Sequence, residues 1–237
     1  MLYEKSYILF VFLISIRYFI LTSFSYFIFY KILKSKIVRL KIQQKFPLYK
    51  DYVREIKHSI FTIFIFAGYA YIILNTSLKD FTKIYDDIHQ FSTLYFITTI
   101  IIALFIHDTY FYFIHRIMHH PKIFKYVHLV HHKSTNPNPF SSYSFHPIEA
   151  IIEGAVIIVI AITIPIHKLA LGIFLLVMIL YNIYGHLGYE IIPNWIRKSK
   201  IGKWLNTATN HNLHHKLGRD NYGLYFKFWD EIFKTSH

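Results

Sequence analysis

Thirteen of the sixteen histidines lie between His107 and His215, and eight of them form three clusters: His115-x-x-x-His119, His128-x-x-His131-His132 and His211-x-x-His214-His215. Residues three or four apart on a helix share a face, so each cluster can aim two or three imidazoles at one point. A single such pair is as readily a surface or capping pair. Three clusters in one chain, two repeating the same five-residue pattern, point to metal chemistry. Asn182-Ile-Tyr-Gly-His186 contributes a further i, i+4 pair. These imidazoles exceed the four that one zinc takes, so two metal ions fit the count. Imidazole suits iron, copper, nickel and zinc alike, and ligand type leaves the metal open. The chain has no cysteine, which excludes disulfides, thiolate zinc, iron–sulfur clusters and a cysteine nucleophile.

Ligating histidines usually donate their second N–H to a carboxylate or carbonyl, and Asp108, Glu149, Glu190, Asp220 and Asp230 are the acids expected to serve, each with an ordinary interfacial or capping role as its alternative. His146, in Phe145-His146-Pro147, is equally a metal neighbour or a helix start. His120 before Pro121 is expected to be exposed, and His107 to line a polar surface near the end of its helix. His58, His89, His167 and His237 lie outside the clusters and carry no assigned chemistry.

The elements that must position these residues are apolar. Hydrophobic residues make up 54% of the 237, charged ones only 16%, and mean hydropathy is +0.33, a composition that excludes disorder and an ordinary soluble domain. Five apolar runs stand out: Tyr7–Tyr30, about Ser59–Leu74, about Phe91–Ile114, about Ile148–Ile166 and Leu169–Tyr184. The expectation is an all-α integral membrane bundle of four to five spans or re-entrant helices with a cytosolic, histidine-rich helical cap. The second run is short for a span, and the last two cross fully or form a re-entrant hairpin. The first run is too long for a signal peptide and reads as a retained anchor. Arg17 within it faces other helices or a polar pocket, or snorkels to the interface.

If the runs cross alternately, 21 of the 26 Lys and Arg fall on one face, which the positive-inside rule makes cytoplasmic. All three histidine clusters fall on that face, just beyond span ends. The net charge of +13 then needs no nucleic acid; it orients the chain and meets anionic headgroups. The chain reads as one membrane-embedded domain over 1–237, with N-terminal spans in 1–90 and a catalytic core in 91–237.

From Ile106 onward the motifs resemble the fatty acid hydroxylase and sterol desaturase superfamily of membrane non-haem di-iron oxygenases. The resemblance rests on Asp108 through Tyr112, His115-Arg116 before His119, the two His-x-x-His-His clusters, Phe145-His146-Pro147, Asn221-Tyr222-Gly223 and Trp229-Asp230. Asn138-Pro139-Phe140-Ser141-Ser142 looks most like the C-5 sterol desaturase branch. The resemblance implies His115, His119, His128, His131, His132, His211, His214 and His215 as iron ligands with His186 as a ninth, and a water-linked role for Asn182. It also implies two irons, which zinc replaces on overexpression, O2 as co-substrate, a membrane lipid substrate, and electrons from a carrier such as cytochrome b5 or ferredoxin with its reductase. Two departures concern the substrate: Asn182 stands where some fatty acid hydroxylases have histidine, and Glu149 where the sterol branch usually has Asp.

The expected function is thus a lipid hydroxylase or desaturase. The rival is a multi-pass divalent-metal-binding or metal-transport protein, but transporters place ionisable ligands near the bilayer midplane. A bis-histidine haem carrier leaves the doubled clusters unexplained, and no His-Glu-x-x-His of a metalloprotease occurs.

Overall fold

The computed structural model describes residues 2–237, and the chain is helical nearly throughout. Four helices are long and apolar enough to cross a membrane. They are α1 (Leu2–Tyr26, extended by a π-helical turn over Phe27–Ile32), α2 (Tyr49–Asn75), α3 (Thr93–Met118) and, after the shorter helices α4 (Pro121–Val127), α5 (Leu129–His132), α6 (Pro147–Gly154) and α7 (Val156–Thr163), α8 (Lys168–Gly185). Three small helices follow: α9 (Asn194–Arg197), α10 (Ala208–Leu217) and α11 (Phe228–Ile232).

The fourth apolar run is neither a single span nor a tight hairpin. It forms α6 and α7, joined at Ala155, and runs from the histidine end of the bundle to the opposite end. There β2 (Ile166–His167) pairs in parallel with β1 (Ile84–Tyr85), in the α2–α3 connection. The bundle therefore has four long helices and one broken one. Gly154 lets the break pack closely: a Cβ there would lie 2.5 Å from the Tyr69 ring.

Packing follows the membrane pattern. Tyr18, Ile63, Phe66, Tyr143, Phe145 and Ile179 form one internal cluster, and Ala103, Val156, Ile160, Ala170 and Phe174 another. Outward-facing Phe12, Ile20 and Phe24 on α1 and Ile101 and Phe105 on α3 are exposed, as a surface solvated by lipid tails requires.

The second span begins ten residues before its apolar run, at Tyr49. Its polar first turns face protein rather than lipid. Fully buried Glu55 accepts from Ser134 Oγ and from Asn138 Nδ2, both at 2.6 Å, and so clamps α2 to the segment that follows α5. Arg17 donates to the Tyr143 hydroxyl at 3.3 Å, and so faces the other helices rather than snorkelling to the interface.

Three further contacts tie the N-terminal half to the histidine end. The π-helical turn of α1 aims Tyr30, whose hydroxyl donates to the Leu187 carbonyl at 2.8 Å, one residue past His186. Lys41, on the α1–α2 connection, lies over the rings of Tyr30, Phe46 and Tyr189. Its neighbour Ile42 donates its N–H to the Gly188 carbonyl at 3.0 Å. Gly188 has a positive φ of 73°, and a Cβ there would sit 2.7 Å from the Tyr30 hydroxyl.

Removing the Glu55 carboxylate leaves two buried donors without a partner, at about 1–3 kcal/mol each. Glu55→Ala is expected to lower the Tm of the purified protein clearly. Lys168→Ala, which removes an exposed ion pair with Asp86 away from this clamp, is expected to leave the Tm nearly unchanged. Equal Tm values for the two variants would contradict the clamp.

Candidate metal centre

The nine histidines converge into two adjoining groups. One holds His115, His119, His128, His132 and His214, the other His131, His186, His211 and His215; within each, one nitrogen per ring lies within 4.8 Å of the others. All are buried except His119, which is half-buried.

The repeated His-x-x-His-His pattern is used in opposite senses. In the α5 segment the i, i+4 pair His128 and His132 serves the five-membered group, and His131 turns to the other. On α10 the i, i+4 pair His211 and His215 serves the four-membered group, and His214 crosses to the first. Positions i and i+4 lie about 40° apart around a helix, whereas i+3 lies on the other side of i by about 60°, so one short helix reaches both groups. His115 and His119, one turn apart at the end of α3, complete the first group. His186, just past the end of α8, completes the second.

The groups behind these rings fix their tautomers. The Nδ1–H of His115 donates to the Tyr222 carbonyl (2.9 Å), that of His119 to Gly218 (3.0 Å), that of His186 to Asn182 (2.8 Å) and that of His214 to Asp220 (2.6 Å). His128 Nδ1 meets Glu149 Oε1 at 2.6 Å. A carbonyl can only accept, so Nδ1 carries the proton and Nε2 of the neutral ring presents a lone pair. Those lone pairs face one another: Nε2 of His115 is 3.0 Å from that of His128, His132 is 3.1 Å from His214, and His211 and His215 lie 3.1 and 3.2 Å from His186. Convergent lone pairs repel unless a cation lies between them. The donor set therefore fits two metal ions bound through nitrogen, with four rings of the first group and His186 of the second held from behind.

Three of the four carbonyls come from the segment after α10, and the fourth, Asn182, from the last turn of α8. Gly218 ends α10 with φ 68°, and Asp220 and Asn221 follow with φ 62° and 53°. Glycine, aspartate and asparagine tolerate this left-handed region best, and here it turns the Gly218 and Asp220 carbonyls toward His119 and His214. The Gly218-Arg219-Asp220-Asn221 run was the sequence signal for this support, but which carbonyl meets which ring has none.

Among the acids expected behind the histidines, only Glu149 places a carboxylate on one of these rings. Asp108 instead accepts from the backbone N–H of Tyr225 (2.7 Å) and Phe226 (3.2 Å), fastening the C-terminal segment to α3. Asp230 accepts from Tyr222 N (2.9 Å) and Gly223 N (2.8 Å), and so holds the carbonyl used by His115. Glu190 accepts from Tyr184, Ile192 and Thr209 and braces the start of α10. Asp220 acts through its carbonyl rather than its side chain. Asn182 gives its carbonyl to His186 and its side-chain amide to the Ser142 carbonyl (3.0 Å). His146 caps α6, accepting from Ile148 N at 3.3 Å. His107 is buried against the Tyr225 hydroxyl at 2.9 Å, and His120 is an exposed cap of α4.

Burial holds His119 at about 3 and His186 and His214 at about 4, against about 6.5 for a free imidazole. The unfolded chain takes up protons below about pH 6.5 that the folded, metal-free centre refuses until about pH 4. Stability present above about pH 6.5 is thus lost as pH falls through that window. The metal-free protein is expected to show a level Tm between about pH 8 and 7 and a steep fall below about 6.5. A Tm unchanged down to about pH 5 would contradict a neutral, buried imidazole network.

The fatty acid hydroxylase family model matches residues 100–235, the stretch that supplies all nine converging histidines. The chain is 34% identical over 158 residues to lathosterol oxidase of Rattus norvegicus, covering 65% of this chain and 51% of that protein. It is 30% identical over 185 residues to a Delta(7)-sterol 5(6)-desaturase of Gibberella zeae, covering 78% and 55%, and 35% identical over 130 residues to methylsterol monooxygenase 1 of Danio rerio, covering 55% and 44%. The chain spans about half the length of the curated relatives it matches. No solved structure matches it. With the motifs, the paired imidazole groups and the family match in agreement, the chain belongs to the fatty acid hydroxylase family, in its C-5 sterol desaturase-like branch.

Proposed function

We propose that the chain is a membrane lipid oxidoreductase that uses two iron ions and O2 to hydroxylate or desaturate a C–H bond of a sterol, fatty-acyl or related lipid. The observation that carries this reading is the convergence of nine imidazole nitrogens into a group of five and a group of four with no sulfur or carboxylate among them. In this reading His115, His119, His128, His132 and His214 hold one iron, and His131, His186, His211 and His215 the other. The similarity to sterol oxidases and desaturases supports the substrate class and the redox chemistry.

Iron bound here supplies the capacity to activate O2 and to take hydrogen from an unactivated C–H bond. The protein supplies the rest. Glu149 and the four carbonyls fix five of the imidazoles in direction. Phe111 and Phe145, whose rings lie 4.9 and 5.0 Å from those of His115 and His131, keep water from the bilayer side of the centre. Substrate placement to within about an ångström decides between hydroxylation and desaturation.

The histidine end carries the basic loops, so the positive-inside rule supports a cytoplasmic centre. Beside half-buried His119 an open depression of about 540 Å³ is lined by Arg116, His120 and Tyr222, with exposed Lys122, Lys125, Lys216 and Arg219 on the same segments. This surface suits an acidic electron carrier such as cytochrome b5 or ferredoxin with its reductase.

His131→Ala is expected to lower turnover by at least about 100-fold and bound iron from two ions toward one per chain. Expression in a host lacking the protein, with lipidomics under isotope-labelled O2, reads the reaction itself. Label retained in a lipid reports hydroxylation, and loss of two hydrogens without label reports desaturation. Full activity in His131→Ala, or no oxidised lipid with the wild type, would overturn the reading.

A further inference from the structure

Two cavities lie end to end between the lipid face and the metal centre. The outer one, about 210 Å³, is apolar apart from Arg17 and is lined by residues such as Phe10, Ile14, Leu74 and Leu175. The inner one, about 30 Å³, reaches Phe111, Phe145 and Asn182 beside the histidines. Phe66, Ile157 and Met178 line both cavities and form the wall between them.

The inner cavity contains a carboxyl with no structural task. Glu153 lines it, yet hydrogen-bonds and ion-pairs with none of the described residues. Glu149, one turn earlier on α6, is engaged by His128; Glu153 bonds to none of the nine histidines. Tyr143 lines the same cavity. Its hydroxyl oxygen accepts from Arg17 at 3.3 Å, which leaves its own proton free to donate. A donor and an acceptor lining one small chamber, which His107 and Asn182 also line, match an alcohol, which needs one of each. A bare hydrocarbon chain would leave both unpaired.

We propose that Glu153 is the specificity-determining residue of the channel. It accepts a hydrogen bond from the hydroxyl of a lipid alcohol while Tyr143 donates to the same oxygen, and the apolar body of the lipid extends through the outer cavity toward the bilayer. The proposal rests on the oxidoreductase reading and narrows it. Glu153 lies one helical turn along α6 from Glu149, the carboxylate behind His128, so the anchored hydroxyl lies at the end of the channel nearest the metal centre.

The test uses the iron-loaded full chain in detergent micelles, with radiolabelled cholestanol and its deoxy counterpart cholestane as probes. The wild type is expected to retain the alcohol over the hydrocarbon by at least about ten-fold. Glu153→Leu is expected to bring the two near parity with hydrocarbon retention and iron content unchanged, and Tyr143→Phe to reduce the preference partway. A wild type without preference, or a Glu153→Leu protein that keeps it, would overturn the proposal. If the Leu variant loses its iron, Glu153→Gln and Tyr143→Phe decide: an unreduced preference in both overturns it. O2-dependent lipid oxidation measured on the same preparation separates the two readings. Preference without oxidation leaves the anchor standing and removes the oxidoreductase, whereas oxidation without preference does the reverse.

Discussion

The architecture depends on one electrostatic constraint: nine imidazoles brought together with their unprotonated nitrogens facing inward, in a place nearly closed to water. Left alone, such lone pairs repel and protonation is the ordinary escape. Burial blocks that escape, and the acceptors behind His115, His119, His128, His186 and His214 hold those five rings in the tautomer that presents Nε2. What remains favourable is a cation in each group. The loop after α10, with its left-handed Gly218, Asp220 and Asn221, is the local cost of supplying carbonyls where the rings need them.

The rest of the fold holds that arrangement at a membrane surface. α3 and α8 deliver His115, His119 and His186 at their ends, so the centre lies at the end of the bundle rather than within it. The N-terminal half contributes no candidate ligand but fixes the frame. Glu55 grips the segment after α5, and Tyr30 and Lys41 grip the segment after His186. The broken helix α6–α7 serves two surfaces at once. Glu149 faces the histidines, while Glu153, one turn on, lines the inner cavity beside them.

The histidine clusters and most spans were legible because each is a local pattern: imidazoles at helical spacing, or a long apolar run. The start of α2 was not, because Asp51, Arg54 and Glu55 look like a loop until the cap they pack against is known. The break at Ala155 follows Gly154, but a lone glycine does not by itself mark a break in an apolar run; the close packing against Tyr69 and Phe66 sets it there. The acids were legible as a set but not by role. Asp108, Asp230 and Glu190 stand one step further back, holding backbone that in turn holds the site, and backbone carbonyls, which carry no sequence signature, do most of the direct support. The sense in which each His-x-x-His-His cluster divides between the two groups also emerges only when α5 and α10 are set side by side.

The central claim is two metal ions, each in an imidazole-only shell. Metal quantification per chain combined with X-ray absorption at the edge of the bound metal tests it most directly. The account predicts two ions per chain and a nitrogen first shell at about 2.0–2.1 Å, with the multiple-scattering signature of several imidazoles. One ion per chain, or a shell dominated by carboxylate oxygen, would contradict it.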